Sequence, residues 1–351
     1  MKNYPKIQKL MELGNGILGS RYAILGGAMT WISESNLVSA MSNAGMFGIL
    51  ASGAMNADAL KSEIALTQEK TKNNFGVNII MLNPQLQNLI DVCGERKTSH
   101  VILAGGIPDK ATIDRIHSYG MQALSFAPTL SVAKRLFKQG IDALILEGNE
   151  AGGHVGPLST MILIQDILLN MKGYPIFIAG GILRGEVIAA LHQFGAVGCQ
   201  LGTVFACCRE SIAHKDFKRA LLSANGRAAT VPVQLDKRFP VAPVRAIENK
   251  GTEEFIARQR EILAKFDNDD VSMDDGRLSL EHFWAGSLRR AVLEGDVDRG
   301  SLMSGQIVEI VREERSISEI IATILQEAEA FLENSSQEDS DCWENGVDVV
   351  N

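Results

Sequence analysis

Short apolar runs alternate with longer segments of helical spacing along the first 210 residues of the chain. The longer segments place apolar residues at three- and four-residue intervals, as amphipathic helices do, whereas the apolar runs have the length of buried strands. The pattern predicts eight strands, at 23–25, 48–50, 75–80, 100–105, 122–128, 142–148, 175–181 and 198–203.

Capping residues support these boundaries. Glycines end several predicted helices just before the next strand, as left-handed C-cap residues do: Gly45, Gly120, Gly140 and Gly195. Polar residues are predicted to cap helix N-termini at Ser33, Asn56 and Asp109. Because strands that are apolar on both faces need helices on both sides, eight such units predict an α/β protein, a (β/α)8 TIM barrel. The alternative is an open doubly wound sheet, but no GxGxxG follows the first strand.

The rhythm of strands and helices breaks at residues 211–300, which contain amphipathic helical segments and irregular stretches. We predict that residues 1–210 and 301–332 form the barrel and that 211–300 form a small, mostly helical cap over its mouth. The acidic, polar segment 333–351 is predicted to be a disordered tail.

Composition narrows the class of protein. The chain has 351 residues, a net charge of −8 and no stripe of basic residues, so a nucleic-acid partner is not expected. No apolar run is long enough to span a membrane, and the N-terminus lacks the apolar stretch of a signal peptide. Five scattered cysteines predict neither disulfides nor a metal site, and favour a reducing cytoplasm.

Glycines cluster where the predicted strands end, which in a barrel is the face that binds ligands. The pairs are Gly26-Gly27, Gly105-Gly106, Gly152-Gly153 and Gly180-Gly181, with Gly202 alone. The segments FIAGGI and CQLGT end the last two strands and run into helices. Backbone N–H groups at such turns bind anions, and the hydroxyl of Thr203 would add a donor, so a phosphate-bearing ligand is predicted.

His154 is the main candidate for acid–base chemistry, because it follows a glycine pair at the mouth end of the sixth strand. Glu147 and Glu150 flank the same turn, and each could bind a ligand or orient the loop. Cys207 and Cys208 open a helix, where a thiol can be reactive, but small apolar packing is the preferred interpretation. No motif of a hydrolase is present.

These motifs together resemble the nitronate monooxygenase family, formerly the 2-nitropropane dioxygenases, which includes the flavin-dependent type II enoyl-acyl-carrier-protein reductases. EGNEAGGHVG is similar to the family's central signature, FIAGGI and QLGTVFACCRES to its phosphate-binding segments, and YAILGGAMTWISESNLVSAMSNAG to its first unit. PVRAIEN at 243–249 and GDVDRGSLMSGQI at 295–307 resemble the reductase branch in particular.

The resemblance implies a barrel with a helical cap that binds FMN, with His154 as the catalytic residue. The positions that match flavin contacts are Gly27, Met29, Asn78, Glu147, Gly152, Gly180, Gly181, Gln200, Leu201, Gly202 and Thr203. The chain also departs from the family pattern. Ala23 replaces a proline, Glu147 stands where glutamine is common, and Val204 replaces an arginine.

Two activities follow from the resemblance. In the first, an alkyl nitronate is oxidised with O2. In the second, NAD(P)H reduces an enoyl thioester, carried by an acyl carrier protein, through the flavin. A flavin-binding protein without turnover is a minor alternative. The resemblance also implies a homodimer.

Overall fold

The computed structural model describes residues 4–236 and 243–344. Eight parallel strands form one sheet, and a backbone bridge between Leu25 and Phe47 joins its two edges, so the sheet closes into a barrel. The (β/α)8 prediction is therefore confirmed. The barrel strands are β1 Ile24–Gly26, β2 Gly48–Ala51, β3 Phe75–Ile80, β4 His100–Ala104, β5 Gln122–Phe126, β6 Ala143–Glu147, β8 Ile176–Ala179 and β9 Gly198–Leu201; the short β7, Gly153–His154, belongs to a second sheet.

Helices follow the barrel strands and bury their apolar faces against them. A further helix, α1 Pro5–Leu18, precedes the first strand. Those between the strands are α2 Ser35–Asn43, α3 Ala57–Lys70, α4 Leu86–Glu95, α5 Lys110–Ser118, α6 Leu130–Gln139, α7 Thr160–Leu163 with a π-helical turn at Ile164–Leu168, α8 Gly185–Phe194 and α9 Thr203–Ala206.

The helix N-termini agree with the sequence at two of three predicted caps. Asn56 accepts a hydrogen bond from the Ala59 N–H, and Asp109 accepts one from the Thr112 N–H, as N-cap side chains do. The prediction for Ser33 is wrong, because Glu34 caps α2 instead. The Ser33 hydroxyl instead forms hydrogen bonds with the loop after β1, as described below.

The two ends of the described chain meet on the barrel wall. Helix α13, Ile317–Glu344, places the Glu329 carboxylate where it accepts hydrogen bonds from the N–H groups of Lys6 and Ile7 in the first turn of α1. Residues 333–344, which we expected to be disordered, continue this helix. Propagating a helix that tertiary packing has already nucleated requires only weak local preference. Residues 345–351 lie outside the described part.

In its described residues, the region 211–300 contains three helices, but it also contributes strands that the sequence pattern did not predict. Strand β11 pairs antiparallel with β10, with β12 and, at its other end, with β7. These strands are too short for a periodic signal, and their partners are distant in sequence. The elements of this region are α10 Lys215–Ser223, a 3-10 turn at Gly226–Ala228, β10 Ala229–Thr230, β11 Val244–Ile247, α11 Lys250–Asp267 and α12 Met273–Arg289 with a π-helical turn at Arg290–Glu294. The strand β12 Leu302–Met303 and a 3-10 turn at Gln306–Ile310 follow the region.

A second, smaller apolar core lies in this region. It joins β11, α11 and α12 through Val244, Phe255, Ile262, Leu280 and Trp284. Helix α10, by contrast, packs Phe217 and Leu221 into the main barrel core. Within the described residues, no helix combines the length and the apolar character that crossing a bilayer requires.

Candidate functional site

Three barrel strands present one row of side chains at the mouth, which we call the mouth row: Glu147, Ala179 and Gln200. Glu147 is in register with Ala179, and Ala179 with Gln200, so all three face the same side of the sheet. A Cβ placed on Gly148 would meet Thr160 Oγ1 of the helix layer at 2.0 Å. Because successive strand residues alternate in direction, Glu147 and the rest of the row face the barrel interior.

Polar atoms of this row have no protein partner. The Gln200 side chain is 9% exposed and makes no hydrogen bond within the described residues. The Glu147 carboxyl likewise has no hydrogen bond or ion pair there, and burial raises its pKa to about 8. The Asn78 amide nitrogen donates to the Ile102 carbonyl at 3.1 Å. The polar groups of Glu147 and Gln200 thus face the mouth without a partner in the described residues, and a ligand bound there can pair with them.

The loop after β1 lies beside the end of β9. The Gly27 N–H donates to the Leu201 carbonyl at 2.8 Å, and Met29 Sδ is 3.9 Å from a Cβ built on Gly202. The Ser33 hydroxyl donates to the Gly27 carbonyl and accepts from the Met29 N–H, both at 2.9 Å. The structure therefore brings together four of the predicted contacts, and Ser33 holds the loop in shape.

The turns after β8 and β9, which we call the ledge, lie where the sequence predicted an anion site. Gly180 and Gly181 both have left-handed backbones, with φ of 96° and 67°, which only glycine adopts without strain. Thr203 begins α9, and its Oγ1 accepts a hydrogen bond from the Gly305 N–H at 3.1 Å. That bond leaves the Thr203 hydroxyl proton available to an anion. Leu201 is buried in the core, so its contribution to the ledge is backbone.

The loop at 148–155, which we call the His154 loop, is held by β11 as well as by the barrel. In β7, His154 pairs with Val244 and Gly153 pairs with Arg245 of β11. The Val155 N–H donates to the Pro243 carbonyl at 3.0 Å. The His154 side chain is exposed. An imidazole on a strand that is paired with β11 can meet a substrate in a defined position.

Glu150 orients this loop, which decides between its two predicted roles. Its carboxylate accepts hydrogen bonds from the Thr160 N–H and hydroxyl, each at 2.9 Å. Its backbone carbonyl accepts from the Gln306 N–H at 2.9 Å. The carboxylate is thus engaged within the protein, whereas the Glu147 carboxyl is not.

Gly152 is required by a contact between two backbone segments. A Cβ on Gly152 would lie 2.4 Å from the Ser304 carbonyl carbon, and one on Gly305 would lie 2.7 Å from the Glu150 carbonyl oxygen. Both distances are shorter than real Cβ atoms show, so the His154 loop and the segment after β12 approach closely only because both residues are glycine. This contact explains Gly152 without a ligand.

Arg245 belongs to the site, but the sequence motifs did not single it out within PVRAIEN. Its Nε donates to the Asn149 carbonyl at 2.9 Å and its Nη1 donates to the Ala229 carbonyl, so it ties the His154 loop to the cap region. Burial lowers the pKa of the guanidinium, and the nearby Glu150 carboxylate opposes this effect. The available signal was a charged residue between two apolar ones in PVRAI.

Cys207 and Cys208 play no visible part in the site. Both are buried, and burial raises the pKa of each thiol to about 12. They remain protonated at neutral pH, which confirms that they are packing residues.

Comparison with known proteins fits this geometry. A model of the nitronate monooxygenase family matches residues 12–95 and 85–327. The chain belongs to this family. It is 28% identical to an indene-carboxyl-CoA dehydrogenase of Mycobacterium tuberculosis, over 91% of this chain and 96% of that one.

Two solved structures are similar across almost the whole chain. FabK from Thermotoga maritima has a TM-score of 0.81 and 32% identity, over 92% of this chain and 98% of that one. The nitroalkane oxidase of Streptomyces ansochromogenes has a TM-score of 0.70 and 25% identity, over 89% and 96%. The chain is therefore an enzyme of the oxidoreductase class.

Proposed function

We propose that this protein is an FMN-dependent oxidoreductase that reduces an enoyl thioester with electrons from NAD(P)H. The observation that carries the thioester assignment is the construction of the His154 loop. The segments 243–249 and 295–307, which resemble the reductase branch, supply the strand that pairs with His154 and the backbone that contacts Gly152.

The same two segments are joined to each other. Strand β11 pairs with β12, and the Asn249 amide donates to the carbonyls of Val297 and Gly300 at 2.8 and 2.9 Å. They therefore act as one unit behind the histidine. The similarity to FabK and to a carboxyl-CoA dehydrogenase supports a thioester substrate, because this chain aligns with nearly the full length of each of those proteins.

The residues at the mouth fit a flavin nucleotide. Gly181 and the stretch from Gln200 to Thr203 would hold the phosphate through backbone N–H groups, and Gly27, Met29, Asn78, Glu147 and Gln200 would meet the ring. When bound, the flavin would accept a hydride from NAD(P)H and pass it to the substrate. The barrel would contribute a fixed position for the ring and the polar side chains of Glu147 and Gln200, which have no partner among the described residues.

His154 would act at the substrate itself. An exposed imidazole can donate a proton or a hydrogen bond to a substrate. In the proposed reaction it would donate to the thioester carbonyl or to the carbon next to it. The acyl group would enter from the open side of the mouth, on an acyl carrier protein or coenzyme A.

Nitronate oxidation with O2 is the second candidate. The description of the matching family and the similarity to a nitroalkane oxidase favour it. In that reaction His154 would donate a hydrogen bond to the nitronate oxygens. The same flavin cradle would serve both activities.

An anaerobic reduction experiment separates the candidates. The purified protein is reconstituted with FMN and mixed with NADH, NADPH or propyl-2-nitronate while the flavin absorbance is followed. Bleaching by NADH or NADPH, reversed by crotonyl thioester, is the expected result. Bleaching by the nitronate alone would favour the second candidate, and a protein that binds no flavin would refute both.

A further inference from the structure

We propose that Glu147 contacts the flavin ring as a neutral carboxylic acid, so that cofactor affinity falls when its proton is removed. This inference rests on the flavin assignment above and adds a pH dependence to it. It concerns the mouth row and not the His154 loop.

The geometry leaves the Glu147 carboxyl directed at the ligand space. It ends β6 on the inward face, in register with the small side chain of Ala179, and it has no hydrogen-bond or ion-pair partner within the described residues. It is partly exposed, so a ligand in the mouth can reach it. A carboxyl kept for structure would be bonded, as that of Glu150 is to Thr160.

Among the described residues, none places a cation beside the Glu147 carboxyl. The adjoining ends of β5 and β8, in QALSFAP and PIFIAGG, carry no titratable side chain, and neither does α7. The charged or titratable groups on the loop and on β11 are Glu150, which Thr160 binds, Arg245, which donates to two backbone carbonyls, and His154, which is exposed. The acid form is therefore favoured, and burial raises the pKa of the group.

The acid form also suits the proposed ligand. The pyrimidine edge of a flavin alternates carbonyl oxygens with a ring N–H. A carboxylic acid offers one donor and an acceptor to such an edge, as the amide of a glutamine does, whereas a carboxylate offers acceptors alone. This explains how glutamate can stand at a position where the resembled family commonly has glutamine. Loss of the proton would set an acceptor against a carbonyl and add charge beside the ring.

The test is a titration of the flavin-free protein with FMN, followed by quenching of flavin fluorescence between about pH 7 and about pH 9. The wild type is expected to lose about 10-fold in affinity over this range, because a group with a pKa of about 8 goes from mostly protonated to mostly ionised. Glu147→Gln should bind FMN with a flat profile. Glu69→Gln, on the exposed face of α3, is the matched control and should retain the wild-type slope.

A second measurement needs no variant. Binding of FMN to the wild type in weakly buffered solution near pH 8.5 should take up most of one proton, read with an indicator dye. A flat wild-type profile, an unchanged slope in Glu147→Gln, or no proton uptake would each overturn the inference. Absence of FMN binding at every pH would instead contradict the flavin assignment, so the two failures are distinguishable.

Discussion

The ledge on the barrel strands and the His154 loop occupy the same mouth but are built in different ways. The ledge, formed by Gly180-Gly181 and the end of β9, depends on strands that lie side by side in every closed barrel. The His154 loop depends on β11 and on Gly305, about 90 and 150 residues further along the chain. One half of the site is set by local sequence, and the other is set by distant pairing.

This difference indicates which part of the structure determines cofactor binding and which part determines turnover. In the proposed function, backbone groups at the strand ends would hold the flavin, so its binding would need little beyond the barrel, because the turns are part of the fold. The position of His154 needs the cap region in addition. Changes at the cap should therefore alter turnover and leave cofactor binding intact.

The largest effect is expected for His154→Ala. Removal of an acid–base group typically lowers turnover by about 100-fold or more. Steady-state assays with NAD(P)H and crotonyl thioester would measure it, with His117→Ala on the exposed end of α5 as a control of equal chemistry. Turnover within about 2-fold of the wild type would remove His154 from the mechanism.

Gly152→Ala should have the next largest effect. Its Cβ would lie 2.4 Å from the Ser304 carbonyl carbon, so the His154 loop must shift. A displacement near 1 Å can lower turnover by roughly 10- to 100-fold. The matched control is Gly156→Ala in the same segment, where a Cβ meets nothing within 4 Å. Equal activity of the two variants would contradict the proposed contact.

Arg245→Met should lower turnover by about 10-fold and destabilise the fold by about 1–3 kcal/mol, because the Asn149 and Ala229 carbonyls lose their donor. Thermal melts and assays would measure both. Arg219→Met, at a side chain that is 72% exposed, should change neither. An Arg245 variant that melts lower yet turns over normally would show that the tie is structural only.

The smallest effect on the site is expected at His192, in helix α8 of the barrel wall. Burial lowers its pKa to about 4, below the unfolded value near 6.5, so the folded protein holds the ring neutral. The resulting stability is complete above about pH 6.5 and is lost as the pH falls toward about 4, by up to about 3 kcal/mol.

Relative to the wild type, His192→Leu should therefore flatten the loss of melting temperature between about pH 7 and about pH 4.5. Turnover at neutral pH should not change. An unaltered acid profile would contradict the assignment of this loss to His192.

The sequence predicted the part of the site that the barrel strands form, but only some of the part that the His154 loop and its partners form. The eight strands, the caps at Asn56 and Asp109 and the glycines at strand ends all follow from local periodicity and turn chemistry. The partner strand of His154 could not be derived, because β7 has two residues and pairs with β11 about 90 residues further along the chain. Ser33 was misassigned since a serine before a helix can bind either the helix or the preceding loop.

The measurement that tests the separation of the two halves most directly is an FMN titration of His154→Ala beside the wild type, under the conditions of the turnover assay. The separation predicts dissociation constants within about 2-fold of each other while turnover falls by about 100-fold. A loss of FMN affinity that matches the loss of turnover would contradict it, because the histidine would then belong to the cofactor site.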